Sequence, residues 1–466
     1  IETKVECCEG SEKPYEYRNK LQLPVGIIFE KIDDEILEKN TIGFYAINSN
    51  RIVPTNTCDL HGKWAEDLIS IFHEFIEKTK QKCGYYANKK EGIKHIVARY
   101  IQNRLMLTVV IVQNELKNSE ILINLLKQKF DDFSLYININ KKDTNVIFGD
   151  KFIHLFGKKE QELETYISND HEIIKNEANN EIKNQTKNEK SGEIKVKIKH
   201  KISPQSFMQV NSYIQNKIYN EVLSNISKDS IVIDAYSGAG LLSGIMSKKA
   251  KHVFGIEIIE DATKNANELT RENNIKNLTN LRGDCSEILP TLLHQIRSNE
   301  TIKISNKNTE TLNIENFENS TENVDIQVVL DPPRKGCDEK VLKAILSSKP
   351  NKIIYISCAS NTLARDLKIL LNNSSENNTE NSKINNEKST ESTNENNCNS
   401  IDYANENSGN SIETINQNSE NCAVCKNQNN AVNTAEYRIK YVKPFDMFPQ
   451  TCHVETLAIL EKIEKN

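Results

Sequence analysis

From Ser230 onward, short apolar runs alternate with stretches of helical period, and this alternation constrains the fold more than any other feature of the chain. A helix is expected at Asn211–Leu223. Strands are expected at Ser230–Ala235, His252–Ile256, Leu278–Leu281, Ile326–Leu330 and Lys352–Ile356, with helices between them that include Glu339–Leu346 and Thr362–Leu371. The runs "EYRIKYVKPFDMF" and "HVETLAILEKI" read as two closing strands. Strand and helix in regular succession indicate an α/β class built on a doubly wound, mostly parallel sheet.

The chain has 466 residues, which suggests two or three domains. Hydrophobic residues make up 37%, a low share whose cause is local. Residues 169–193, 298–323 and 373–434 are rich in Asn, Glu, Ser, Thr and Lys, too polar to offset chain entropy, and are expected to be disordered insertions. Without them, residues 14–168 mix strands ("GIIFEKI", "IGFYAI", "LMLTVVIV", "SLYINI") with an amphipathic helix near Trp64–Ile76. The expected division is a smaller α+β domain over residues 1–202 and the α/β domain over 203–466. Between them, "EIKVKIKHKIS" puts Lys195, Lys197, Lys199 and Lys201 on one face of a strand. That face is either a solvated edge or a phosphate-binding ridge.

A net charge of -5 leaves an acidic partner open, because a basic face is invisible in a whole-chain sum. No apolar run is long enough to cross a membrane as a helix. Opening on Ile1 with no signal-peptide core, the chain reads as a fragment or processed product. Its 11 cysteines form no disulfide framework, which fits a reducing cytoplasm. Cys422 and Cys425 form a CxxC isolated in an Asn-rich run, without the four ligands of a zinc site, and no metal site is expected.

"IVIDAYSGAGLLSG" is a buried strand ending in Asp234, a glycine turn and a helix start. Gly238 and Gly240 permit close backbone approach to a ligand. The spacing is GxGxxxG, which by itself fits several nucleotide-like ligands. Glu257 then ends the second strand, Asp284 follows the third, and Asp331 ends the fourth in "VVLDPPRKG". Carboxylates at successive strand ends gather where such sheets bind ligands. Without a basic phosphate clamp, the set suits a cofactor with a positive centre. S-adenosylmethionine (SAM) fits, with its ribose at Glu257, adenine near Asp284 and cationic tail at Asp234.

Cys358 stands at the end of the fifth strand, before a helix whose amino end favours a thiolate. A nucleophilic thiol beside the Asp331 turn, together with Glu455 and His453 from "TCHVETLAIL", is the equipment that methylation of pyrimidine C5 requires. That carbon is barely nucleophilic until a thiolate adds to C6, and a base must later remove its proton.

Outside the insertions, residues 203–466 resemble the RNA (uracil-5-)-methyltransferase family, which makes 5-methyluridine in tRNA and 23S rRNA. The resemblance rests on "SPQSFMQVN", "DAYSGAGLL", "GIEI", "DPPRKGCDEKVL", "YISCASNTLARDL" and "DMFPQTCHVETL", in family order. Residues 15–58 resemble the family's central domain. It implies a Rossmann-like SAM-dependent methyltransferase domain, with Cys358 as nucleophile and Glu455 as general base. Gln209, Tyr236, Glu257 and Asp331 match SAM-binding positions, Asp284 matches an adenine-side position, and Phe207 belongs to the same FxQxN motif. RNA is the implied partner, 23S rRNA ahead of tRNA on Cys58 and "IGFYAINSNRIV", and a monomer is expected. The chain departs from the family at Ala359–Ser360, where Asn-Pro is usual, and at Leu241. The family's amino-terminal OB-type domain has no counterpart in the matched residues. Cys58 resembles one of the four ligands of a [4Fe-4S] cluster, so no complete cluster is expected.

A catalytically impaired RNA-binding or folding factor on the same scaffold, or an amine methyltransferase of the DPPY type, are the competing readings. Because a short loop suffices between the elements flanking residues 373–434, replacing 376–430 with a short Gly/Ser linker is expected to leave methyl transfer within a few-fold. Loss of folding or activity in that variant would reveal a structured element.

Overall fold

The computed structural model describes residues 3–32, 35–84, 92–168, 194–298, 302–305, 311–314, 324–371 and 436–463. The stretches 169–193 and 373–434, with the Cys422–Cys425 pair, lie outside the described residues.

The first half of the chain builds one seven-stranded sheet. Its strands are β1 (Lys20–Ile32), β2 (Glu35–Tyr45), β3 (Ile52–Pro54), β4 (Ile93–Ile101), β5 (Arg104–Ile111), β6 (Asp132–Ile139) and β7 (Lys151–Phe156), in the order β3-β2-β1-β4-β5-β6-β7. Leu21, Leu23 and Val25 alternate along β1 and are buried, as a half-covered strand requires. The covering helix α1 (Lys63–Thr79) lays Leu68, Phe72, Phe75 and Ile76 on this face at helical spacing. Helix α2 (Ser119–Leu126) carries the crossover between the parallel pair β5 and β6.

A second antiparallel pair, β8 (Gln161–Ser168) and β9 (Ile194–Ile202), leads out of this sheet. Val196 and Ile198 face the core, as the alternation requires. Three of the lysines expected on the opposite face, Lys197, Lys199 and Lys201, meet carboxylates. Lys197 lies 2.9 Å and Lys199 4.0 Å from the Glu164 carboxylate, and Lys201 bonds Glu268 at 2.7 Å and Glu272 at 2.5 Å. The neutralising carboxylates come from β8 and from a helix some 70 residues onward, so a local reading of the strand misses them.

The second half opens with α3 (Ser212–Asn225) and continues through β10 (Ile231–Ala235), α4 (Leu241–Met246), β11 (His252–Glu257), α5 (Glu260–Glu272), β12 (Leu278–Arg282) and α6 (Cys285–Arg297). A short antiparallel pair, β13 (Ile302–Ser305) and β14 (Thr311–Ile314), falls inside a stretch expected to be a disordered loop. Ile302/Ile304 and Leu312/Ile314 carry a period-two alternation that the averaged polar composition hides. Then follow β15 (Ile326–Leu330), α7 (Glu339–Ser348), β16 (Lys352–Ser357), α8 (Ser360–Leu371), β17 (Tyr437–Phe445) and β18 (Glu455–Lys462).

These elements give the expected doubly wound sheet, ordered β12-β11-β10-β15-β16-β18-β17. Strands from β12 to β16 are parallel, and β18 runs antiparallel to both β16 and β17. Alternation within each strand divides the core in two. Ile233, Val328, Leu330 and Tyr355 pack against α6, α7 and α8, while Val232, Val329, Ile354 and Ile356 pack against α3, α4 and α5. Chain direction through the sheet reverses between β10 and β15, which opens a crevice at their carboxyl ends.

Two backbone links fix what surrounds that crevice. Asn19, just before β1, donates its side-chain amide to the Gln209 carbonyl at 3.1 Å and to Ser212 Oγ at 3.2 Å, and its backbone N–H bonds the Val210 carbonyl. The buried Arg99 guanidinium donates to the Ser206 carbonyl. At the far edge, residues near Val5 and Glu9 run parallel to β17, with Glu6 N–H on the Val442 carbonyl at 2.8 Å and Glu9 N–H on the Pro444 carbonyl at 2.9 Å.

The glycine turn after β10 holds Gly238 at φ +55° and Gly240 at φ +80°. A Cβ on Gly238 would meet nothing within 4 Å, whereas one on Gly240 would press to 2.8 Å from the Ala266 Cβ. Gly238→Ala is therefore expected to cost about 1–2 kcal/mol of backbone strain alone. Gly240→Ala adds overpacking and should cost about 2–5 kcal/mol. Urea unfolding of the ligand-free variants checks the order, and equal losses would contradict it.

Candidate active site

The four expected carboxylates stand at the crevice, each delivered by the end of a strand. Asp234 is the penultimate residue of β10, buried, and accepts a hydrogen bond from Ser243 Oγ of α4. Burial, with Asp331 and Glu257 nearby, pushes its carboxyl up to about 7. Glu257 ends β11, and both its oxygens are occupied: Oε2 accepts the Gly238 N–H at 2.9 Å, and Oε1 accepts the Ile259 N–H at 2.7 Å. One carboxylate thus organises the glycine turn and its own strand end. Asp284 caps α6 by accepting the Ser286 N–H at 2.7 Å, and this bond holds its carboxyl below the ordinary range. Asp331 follows β15, and desolvation pushes it up to about 7.

Tyr236 follows β10 at φ +69°, a strained conformation for a residue with a Cβ. Gln209 lies in the segment held by Asn19. Phe207, two residues earlier, is 77% exposed, and Ile258 and Ile259 beside Glu257 are each 60% exposed. Large apolar side chains left open beside buried carboxylates, over a glycine turn with free space at Gly238, fit a ligand that combines a flat apolar ring, hydroxyls and a positive centre. The residues present therefore fit SAM.

Cys358 differs from the other cysteines of this domain's core. Cys285 and Cys337 are buried, and burial drives both thiols up to about 12. Cys358 is partly exposed beyond the end of β16. Its thiol is raised by partial burial and by Glu455, while the Arg334 guanidinium acts in the opposite sense. The antiparallel register pairs Ser357 with Thr456, so the next step along it brings Cys358 opposite Glu455. Ala359–Ser360 is held by its neighbour, the Ala359 N–H donating to Ser357 Oγ at 3.2 Å.

Glu455 is the buried first residue of β18. Burial and Asp331 push its carboxyl up to about 8, with Arg334 opposing. His453 stays exposed, its ring edge-on to Phe448 with centroids 6.2 Å apart. Three further residues escape sequence reasoning. Arg334 acts on both Cys358 and Glu455. Tyr219 of α3 lies within electrostatic reach of Asp234, Asp331 and Glu455. Asp366 of α8 is wholly buried beneath the Pro-Pro turn. Only Arg334 carried a local signal, standing where an aromatic residue follows the prolines in amine methyltransferases. Among the described residues, no three His, Cys, Asp or Glu side chains are grouped to hold a metal, and no helix is long and apolar enough to cross a membrane.

Three carboxyls raised in the folded state bind protons that the unfolded chain releases. Their contribution to stability is complete at acid pH and is lost as pH rises through about 7–8. Glu455→Gln cannot ionise, so its thermal midpoint should fall less than the wild type's between about pH 5 and pH 8. Parallel melting curves for the two ligand-free proteins would disprove the assignment.

A sequence profile described as tRNA (uracil-5-)-methyltransferase matches residues 69–378, more than half of the chain. An uncharacterized RNA methyltransferase of Clostridium tetani is 32% identical over 375 residues, which cover 79% of this chain and 68% of that protein. Another from Listeria monocytogenes is 31% identical over 365 residues, covering 78% and 66%. A third, from Halalkalibacterium halodurans, is 29% identical over 459 residues, covering 97% and 72%. The chain thus spans about two thirds to three quarters of the length of these relatives. Among solved structures, the tRNA (uracil-54, C5)-methyltransferase of Pyrococcus abyssi in complex with S-adenosyl-L-homocysteine shares the fold. The TM-score is 0.58 at 21% identity, covering 99% of this chain and 79% of that one.

Proposed function

Because the chain belongs to the tRNA (uracil-5-)-methyltransferase family of SAM-dependent RNA methyltransferases, we propose that it methylates C5 of a uridine in RNA, with Cys358 as nucleophile and Glu455 as base. The observation that carries this reading is the β16–β18 register, which aligns a partly exposed thiol with a buried carboxylate beside Asp331.

Cys358 loses its proton to solvent, helped by the Arg334 guanidinium, and the thiolate adds to uracil C6. The electron pair of the C5–C6 double bond moves onto C5 and the O4 carbonyl. SAM supplies the methyl group, as an electrophile, to C5. Gln209, Tyr236, Glu257, Asp284 and Asp331, together with Asp234, would hold and orient the cofactor. Glu455 then takes the C5 proton, the double bond re-forms, and the Cys358–C6 bond breaks to release the thiolate. A uridine must leave its stem or loop to reach this crevice.

Residues 1–202 serve as the RNA-facing domain in this reading. Cys58 and Ile42–Val53 favour 23S rRNA; the family profile and the Pyrococcus abyssi enzyme are named for tRNA. Mapping 5-methyluridine in total RNA with and without the gene decides between them.

Glu455→Gln keeps the shape and loses the base. With SAM present it is expected to accumulate a methylated, SDS-stable protein–RNA adduct. Cys358→Ala should give neither product nor adduct while still binding SAM. Since Glu455 acts ionised, wild-type kcat/KM should rise with pH toward its raised value of about 8. Near wild-type turnover by Cys358→Ala would end the nucleophile reading and favour an amine methyltransferase or a packing cysteine.

A further inference from the structure

The turn that carries Asp331 and Arg334 is anchored from beneath by α8, the helix that starts directly after Cys358. Asp366 is the centre of that anchor, with 0% of its surface exposed. Its Oδ2 accepts the Cys337 N–H at 2.8 Å and the Tyr355 hydroxyl at 2.6 Å. Its Oδ1 accepts Arg365 Nε at 2.8 Å and lies 2.7 Å from Arg365 Nη2. The same Nη2 reaches on to the Lys335 carbonyl at 3.0 Å. Nearer the thiol, Thr362 Oγ1 donates to the Arg334 carbonyl at 3.3 Å and the Ala359 carbonyl at 3.0 Å. Gly336, at φ +79°, completes the fit, since a Cβ there would fall 2.7 Å from Asp366 Oδ2.

This geometry exceeds what helix packing needs. Packing could use apolar side chains, yet a carboxylate is buried and every bond it makes goes to the Asp331–Cys337 turn, to the strand leading to Cys358, or to its helix neighbour. A buried carboxylate with this many partners resists displacement, because losing one of them leaves a desolvated group unpaired. We propose that Asp366 is a positioning residue for C–S bond formation: through Arg365, Cys337 and Tyr355, alongside the Thr362 bonds from the same helix, it fixes the spacing between the Arg334 turn and the Cys358 thiol. The inference rests on the reading of Cys358 as nucleophile. Asp366 touches neither cofactor site nor substrate crevice, so SAM binding should not depend on it.

RNA carrying 5-fluorouridine reads this directly, because fluorine cannot depart as a cation and the adduct accumulates. Asp366→Asn keeps the volume and removes the charge. At saturating SAM and below its melting temperature, it should form the adduct about tenfold more slowly or worse, with SAM affinity by calorimetry within about twofold. Thr362→Val, which retains Asp366 and removes the hydroxyl's bonds to the Arg334 and Ala359 carbonyls, should slow adduct formation by a smaller factor and leave the melting temperature nearly unchanged. A structural role alone predicts a lower melting temperature with a wild-type adduct rate in the folded protein, and that result overturns the proposal. If Asp366→Asn does not fold, Thr362→Val decides, and a wild-type adduct rate there likewise overturns it. Failure of the wild type to form any adduct would instead sink the Cys358 reading. The single-turnover methyl-transfer rate of the same variants would then test Asp366, and no change in that rate overturns it.

Discussion

The proposed chemistry depends on one antiparallel pairing. β16 and β18 are separated by about a hundred residues of chain, and their register alone aligns Cys358 with Glu455. Side chains alternate between faces with period two, so a slip of one residue would turn Glu455 to the opposite face. Register is secured by burial on both sides: Leu457 and Ile459 pack toward α3 and α4, and Ala458 and Leu460 toward α7 and α8. The apolar alternation of β18 is therefore also what aims its first carboxylate.

The same crevice gathers acids and gives them few cations. Asp234, Asp331 and Glu455 all lie above the ordinary carboxylate range because burial outweighs what opposes it, the Ser243 hydrogen bond at Asp234 and the Arg334 charge at Glu455. Arg334 acts on both the Cys358 thiol and the Glu455 carboxyl, and it rides on a turn whose Cys337 N–H bonds Asp366. A site of this kind stores unfavourable electrostatics until a positive ligand arrives, which matches a sulfonium cofactor better than a phosphate-bearing one.

Much of this was legible in the sequence because parallel strands are short and end abruptly. A carboxylate after "IVI" or "VVL" can only sit at a strand tip, and the tips of Asp234, Glu257 and Asp331 stand as the alternation requires. What the sequence concealed was whatever depends on partners distant in the chain. Lys201 of β9 looked free because Glu268 and Glu272 belong to a helix beyond the glycine turn. Asp366, in "LARDL", carries no signal in the sequence, and only the fold reveals Tyr355 and Cys337 across from it. The hairpin at Ile302–Ile314 was lost to averaging over a polar stretch.

The segment from Lys4 to Glu9 closes the edge of the sheet at β17, where Glu9 also meets Lys217 of α3 and Lys443. An uncovered edge strand is a template for pairing with another chain, and this one is occupied by the protein's own backbone. The two partners lie more than 400 residues apart in sequence. On a ribosome, residues around Val5 emerge long before those around Val442, and this pairing forms only after β17 has been made. Closure of this edge therefore couples the two ends of the fold: a chain that stops short of β17 leaves the Lys4–Glu9 segment without its strand partner and the crevice without Glu455.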